Sequence, residues 1–275
     1  MTSLARALSI ALPLLACSCD ATKDGDVARK EAPTKAETRA DAEADARADA
    51  KTDSEPGAKA DPKADHRADA KADAKGDGDE ASRTWSFDDE KPDAIAAGFT
   101  PTQTGEKADP PATWAIVADP DAPSPPHAFG VTKTVGVNKT FNNALIEGTS
   151  YKDFELSVML RPVSGTNNQG GGVMFRAKGV DDHYIARWNP VENNFRVYAM
   201  LGGARVDIAA APLELDPKAW HQLRVVVAGD RIETFVDDKP IVQANDKSLS
   251  DAGMIGLWTK GDAATMFDDL TITPE

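Results

Sequence analysis

Residues His183–Met200 read HYIARWNPVENNFRVYAM, and their alternation decides the fold. Successive side chains of a strand point to opposite faces, so Tyr184, Ala186 and Trp188 share one face, and His183, Arg187 and Asn189 share the other. After the short Pro190–Asn193 loop the pattern resumes, with Phe195, Val197 and Ala199 opposed to Asn194, Arg196 and Tyr198. Two such segments form an antiparallel pair with one apolar and one polar face. The same grammar extends outward: Phe154–Leu160, Gly172–Arg176, Trp220–Val227, Arg231–Val236, Met254–Thr259 and Met266–Ile272 are β-branched or aromatic runs bounded by Gly, Pro, Asn and Asp. Asp237-Asp238-Lys239 between two of them predicts a hairpin turn. Eight or more strands with no amphipathic helical segment between them predict an all-β, two-sheet antiparallel sandwich and exclude an alternating βα architecture.

The rest of the chain is unlike this. From Asp20 to Glu80, 61 residues carry 18 acidic and 12 basic side chains, 17 alanines, one large apolar residue (Val27) and no aromatic. Such a stretch has almost nothing to bury against its ordering entropy. Its imperfect repeat, as in DAEADARADAKTD and DPKADHRADAKADAKGD, predicts a disordered spacer with transient helix. It would span about 40 Å as a coil and up to about 90 Å as a helix. All 17 aromatic residues lie in 81–275, which predicts one folded domain. The net charge of −14 divides into −6 for the spacer, −9 for the domain and +1 from Arg6. A domain this acidic is a poor partner for nucleic acid, which needs clustered Lys and Arg.

At the N-terminus, Arg6 precedes an apolar run, Ala7–Ala16, too short to cross a bilayer of about 30 Å. It predicts an export signal over 1–16. Leu14-Leu15-Ala16-Cys17 resembles the lipobox of bacterial lipoproteins, in which the Cys thiol takes a diacylglycerol and becomes the first mature residue. Cys19 is the rival acceptor. Ser18 after Cys17 points to the outer membrane, whereas Asp20 after Cys19 would point to the inner one. No Cys follows residue 19, so the domain has neither a disulfide framework nor a thiol nucleophile. The expectation is a lipid-anchored cell-envelope protein with a 17–80 tether and an 81–275 domain.

Within the domain, Trp85–Phe99 (WSFDDEKPDAIAAGF), Trp114–Asp119, Gln169–Tyr198, Trp220–Val227 and Gly256–Leu270 (GLWTKGDAATMFDDL) resemble, in this order, concanavalin A-like lectin/glucanase domains. Within that superfamily they look most like the laminin-G-like branch that includes bacterial 3-keto-disaccharide hydrolase-type domains. The resemblance implies a curved jelly-roll sandwich with a glycan site on the concave face of one sheet, and FDD strands at both ends. Related sandwiches often hold a structural Ca²⁺, and Asp88 or Asp89 with Asp268 or Asp269 would supply its carboxylates.

Retaining glucanases need two carboxylates about 5–5.5 Å apart, presented on one strand face as Glu-x-Asp-x-x-Glu. No such strand occurs, and the adjacent acids Asp181-Asp182, Asp237-Asp238 and Asp268-Asp269 would point to opposite faces if they lay in strands. The histidines, His66, His127, His183 and His221, are too scattered for a metal triad, and Gly170-Gly171-Gly172 after Gln169 lacks the Lys and helix of a phosphate loop. What stands out is the polar set Arg187, Asn189, Asn194, Arg196 and Tyr198, which one antiparallel pair would gather. Arg176, Trp258 and Lys260 would extend it, although Trp258 also suits the core. Aromatic faces stack on sugar rings, and Arg, Asn and Lys bond hydroxyls, so this set suits a neutral or acidic glycan. The expectation is a monomeric, non-catalytic glycan-binding module without a cofactor, a structural calcium being the alternative. The alternatives are a 3-keto-disaccharide hydrolase-type enzyme and a module that binds another envelope protein.

Overall fold

The computed structural model describes residues 81–136 and 138–275. The expected signal peptide, Cys17, Cys19 and the spacer lie outside the described residues. The described chain forms fifteen strands: β1 (Arg83–Trp85), β2 (Phe99–Gly105), β3 (Thr113–Ala118), β4 (His127–Lys133), β5 (Thr140–Ile146), β6 (Phe154–Ser164), β7 (Gly171–Ala177), β8 (His183–Asn189), β9 (Asn194–Leu201), β10 (Ala204–Pro212), β11 (His221–Ala228), β12 (Arg231–Val236), β13 (Lys239–Asn245), β14 (Met254–Lys260) and β15 (Ala264–Pro274). Sheet one runs β13-β12-β11-β6-β15-β4-β3 with β1 added on β15, and sheet two runs β10-β9-β8-β7-β14-β5-β2. Every strand pairing in both is antiparallel. The two sheets form the sandwich that the alternation predicts.

The core lies where the inner faces meet. Phe154, Leu156, Val158 and Leu160 of β6 pack with Leu223, Val225 and Val227 of β11 against Tyr184, Ala186, Trp188, Phe195, Val197 and Ala199 of sheet two. Burying each large apolar side chain contributes about 1.5–3 kcal/mol. An aromatic group at one end adds directional contacts: Trp114 stacks on Phe267 at 6.0 Å, and Phe129 lies 5.0 Å from Phe99. Residues of β6 alternate between buried and part-buried, as expected of a sheet with one wet face. By contrast β7 and β8 are buried at every position. The reason is a second, smaller cluster on the outer face of sheet two, formed by Leu145, Met174, Ala177, Ile185, Tyr198, Met200 and Trp258. The segment 178–182 between β7 and β8 folds back over this face, where the Thr104 hydroxyl donates to the Val180 carbonyl and Val180 packs on the cluster.

Turn chemistry follows the sequence. Asp237 and Asp238 both take positive φ, 48° and 60°, between partners Val236 and Lys239, the geometry of a two-residue hairpin. Gly202 and Gly203 do the same between Leu201 and Ala204. Three expectations need correction. Phe87-Asp88-Asp89 is not a strand: Phe87 has φ 67°, and a turn follows β1, whereas Phe267-Asp268-Asp269 does lie inside β15. Strands β10 and β13, which the apolar pattern does not announce, form the outer edges of the two sheets.

The third correction concerns Arg176. Simple alternation from Met174 would place it on the outer face with Arg187. A bulge intervenes: Met254 pairs with Ala177 but Gly256 pairs with Met174, and Arg176 takes φ 47°. Its side chain is therefore turned into the end of the sandwich, where it is 0% exposed. There Nε donates to the Lys152 carbonyl at 2.8 Å, Nη1 to Leu249 at 3.2 Å, and Nη2 to Gly229 at 2.7 Å and to the Asp153 carboxylate at 3.1 Å. One guanidinium ties the segments preceding β6, β12 and β14.

Candidate functional site

The register of β8 and β9 builds the site. Asn189 faces Asn194, Arg187 faces Arg196 and Ile185 faces Tyr198. The polar members stand on the outer face of sheet two because their neighbours Trp188, Phe195 and Val197 are committed to the core. Two strands away, β14 sends Ile255 and Leu257 inward, which leaves Trp258 outward with Lys260 at its end. These side chains converge on a narrow cleft, about 10 Å³ in free volume, lined by Arg187, Asn189, Tyr198, Trp258 and Lys260, together with Phe141, Asn168, Gln169, Gly170, Arg205 and Ala263.

The aromatic part is preassembled. Trp258 meets Phe141 at 5.4 Å and Tyr198 edge-on at 6.1 Å, and Arg205 lies over the Tyr198 ring at 4.7 Å. Trp258 is 3% exposed, and its indole N–H is buried with no hydrogen-bond partner. The polar part is locked by its own network. Arg187 donates to Asn194 Oδ1 at 2.5 Å and to Glu192 at 2.9 Å, while Arg205 bonds Asp207 at 2.8 Å. Asn189 is oriented by accepting the Val191 N–H at 3.0 Å. Glu192 and Asp207 are thus committed to arginines, and no Asp, Glu or His stands among the lining residues.

Five of the sequence-derived residues, Arg187, Asn189, Tyr198, Trp258 and Lys260, line this one cleft. Asn194 stands behind Arg187 as its acceptor, and Arg196 flanks it, 7% exposed. Arg176 is absent for the reason given above, and Trp258 belongs to the outer cluster rather than the inter-sheet core. Phe141, Gln169 and Arg205 were not foreseen. Only Gln169 carried a signal, its position beside Gly170-Gly171-Gly172. That glycine run brings β7 close to its neighbours: a Cβ on Gly170 would lie 2.3 Å from the Trp188 carbonyl oxygen, and φ there is +83°.

The rim is set by Asp262. Its carboxylate accepts the backbone N–H groups of Thr166, Asn167 and Asn168 at 2.8–2.9 Å and the Thr166 hydroxyl at 3.0 Å. Burial pushes its pKa up, but these donors outweigh burial and hold it below the usual value. Asp262→Ala is expected to free the loop that carries Asn168 and Gln169. It should cost about 1–2 kcal/mol of stability and weaken ligand binding several-fold, as read by calorimetry on the variant.

The acids named for a structural calcium are placed as follows. Among the described residues no group of three or more His, Cys, Asp or Glu is placed to hold a metal ion. The Asp88 carbonyl accepts from His127 Nδ1 at 3.0 Å. Asp268 and Asp269 instead converge on Ser124, whose hydroxyl donates to Asp269 at 2.7 Å and whose N–H donates to Asp268 at 2.8 Å. The Asp269 carboxylate is thus engaged by Ser124, whereas Asp88 is bonded through its backbone carbonyl and its side-chain Oδ1 is buried without a hydrogen-bond partner.

Residues 96–273 match the family described as the 3-keto-alpha-glucoside-1,2-lyase-like domain. The chain belongs to this family. Its sandwich is of the concanavalin A-like lectin/glucanase kind, as the sequence resemblance implies. Among curated proteins it is similar to a levanase of Bacillus subtilis (strain 168), 25% identical over 130 residues that make up 46% of this chain and 19% of the levanase. The chain thus spans about a fifth of the length of the curated relative it matches. Among solved structures, the CBM66 carbohydrate-binding module of Bacillus subtilis is similar with a TM-score of 0.49 and 21% identity, covering 63% of this chain and 94% of the module. A GH16 protein of Bacteroides ovatus is similar with a TM-score of 0.48 and 9% identity, covering 69% and 99%.

Proposed function

We propose that this member of the 3-keto-alpha-glucoside-1,2-lyase-like family binds a glycan in the outer-face cleft of sheet two without cleaving it, and presents that site from the cell envelope through a lipid on Cys17. The observation that carries the binding reading is the lining of the cleft. Aromatic rings of Phe141, Tyr198 and Trp258 adjoin Arg187, Asn189 and Lys260, with Glu192 and Asp207 held by arginines and Asp262 by backbone N–H groups. Phe141, the part-exposed ring of the three, can meet the C–H face of a sugar, and the polar side chains can bond its hydroxyls. A two-carboxylate hydrolysis has no pair to draw on in that lining.

Calorimetry against a panel of bacterial and plant polysaccharides tests the reading. Arg187→Ala is expected to cost about 2 kcal/mol in binding, roughly thirtyfold in affinity, and about 1–3 kcal/mol in stability through the freed Asn194 and Glu192, so circular dichroism accompanies the titration to show that the variant is folded. Strong binding that is indifferent to Arg187 and Trp258 would move the ligand elsewhere. Intact-mass measurement of membrane-extracted protein tests the anchor; an unmodified Cys17 would remove it.

The family's own description favours a second reading, elimination on a 3-keto glycoside. Such a reaction needs a base to take the proton beside the ketone, and Lys260 and Tyr198 are the side chains in the cleft able to act as one. Products released from 3-keto-glycosides, and lost in Lys260→Met, would replace the binding reading with this one.

A further inference from the structure

A second cavity opens at the edge of the sandwich, where β2 ends sheet two and β3 ends sheet one. It offers about 210 Å³, open to solvent, and its walls include Pro101, Gln103, Lys107, Pro111, Trp114 and Asn142. That is smaller than the sites of drug-sized ligands, about 300–1,000 Å³, and limits the occupant to one small ring. It is separate from the cleft: Phe141 and Asn142 are consecutive on β5 and point to opposite faces, so Phe141 lines the cleft and Asn142 lines this cavity.

Two amides in its wall are half-satisfied in complementary ways. Asn142 donates through Nδ2 to Thr259 Oγ1 at 3.4 Å and to the Gly261 carbonyl at 3.3 Å, which fixes the amide and leaves Oδ1 buried without a partner. Gln103 accepts the Ala108 N–H on Oε1 at 3.2 Å, which leaves Nε2 buried without a partner. Each buried polar group left unpaired costs about 1–3 kcal/mol. The lip over them is braced by Glu106 N–H to the Lys139 carbonyl at 3.3 Å, by the Thr140 hydroxyl to the Glu106 carbonyl at 2.5 Å, and by Lys107 to the Gln103 carbonyl.

An acceptor and a donor together select the chemistry of an occupant. A hydroxyl can donate to Asn142 Oδ1 and accept from Gln103 Nε2. A carboxylate has no proton for the first, and an ammonium has no lone pair for the second. The rings of Pro101 and Pro111 supply apolar walls suited to the C–H face of a saturated ring, and Trp114, 1% exposed and stacked on Phe267, closes the cavity behind them. We propose that this cavity is a second binding site, for one hydroxyl-bearing ring such as a hexose unit, and that it works independently of the cleft. The ring is either a free sugar or the end of a chain.

Nitrogen-15 NMR titration of the full-length chain tests this with free hexoses in one arm and short oligosaccharides in the other. The Gln103 side-chain amide and the Trp114 indole resonances are expected to shift saturably, and to do so equally in Arg187→Ala. In Gln103→Met, a near-isosteric change whose dispersed spectrum checks folding, the Trp114 response should weaken about tenfold, the loss expected for one buried hydrogen bond. Response in both arms assigns a free sugar, and response to oligosaccharides alone assigns a chain end. These shifts stand even if the cleft binds nothing. If neither arm moves Gln103 at tens of millimolar, an ordered water satisfies the amides and the proposal is overturned; loss of the shifts in Arg187→Ala would equally overturn the independence of the two sites.

Discussion

Replacing Arg176 by alanine is expected to destabilise the domain by about 3–5 kcal/mol, a fall of roughly 10 °C in Tm for a domain of this size. The guanidinium is 0% exposed and satisfies three carbonyls and one carboxylate. Its removal strands the carbonyls of Lys152, Gly229 and Leu249 without a donor and leaves the Asp153 charge with only the Gly229 N–H at 2.7 Å. Arg176→Lys should rescue little, because a single ammonium cannot reach four acceptors arranged around a planar fork. Thermal unfolding monitored by circular dichroism checks this. An unchanged Tm accompanied by lost glycan binding would return Arg176 to the ligand surface.

Two buried groups are expected to tilt the stability against pH in opposite directions. His183, beneath the 178–182 segment, has its pKa lowered from 6.5 to about 4, chiefly by burial. The unfolded chain therefore takes up a proton first, and the contribution of His183 is present above pH 6.5 and lost as pH falls towards 4. Asp268 has its pKa raised from 3.8 to about 6, again chiefly by burial. Its contribution is complete below 3.8 and is lost as pH rises through 6. Each amounts to about 3 kcal/mol across its window, so the wild-type chain should vary little between these limits. Removing one group exposes the other. In His183→Phe stability should fall with rising pH, and in Asp268→Asn it should climb. Urea unfolding at a series of pH values reads both slopes, and parallel profiles for the two variants would refute the assignment.

What the sequence makes legible is whatever strict alternation controls. Tyr184, Ala186, Trp188, Phe195, Val197 and Ala199 all lie in the core, and Arg187 and Asn189 oppose them, because β8 and β9 pair without a register shift. Arg176 was illegible because one extra residue in the ladder with β14 reverses a face, and nothing in GVMFR announces a bulge. Trp258 shares its face with Gly256 and Lys260, a set that reads equally as core or cleft until the packing of Phe141 and Tyr198 is seen. Arg205 lies on β10, whose alanine-rich ARVDIAAAP gives alternation no contrast to work on. Phe141 reaches the cleft only because β14 places β5 beside the Trp258 position, a neighbourhood set by sheet order rather than by local sequence.

The three-residue strand β1 has a mechanical consequence. A pull applied at residue 81 enters the domain through Arg83–Trp85, which pairs only with β15 in sheet one, whereas the cleft belongs to sheet two. Load must cross between layers through side chains, and the first available contact is the Trp85 indole edge-on to Phe99 of β2 at 6.2 Å. Under tension β1 is therefore expected to yield first, as a short fuse, while the strands that carry Arg187 and Trp258 stay paired.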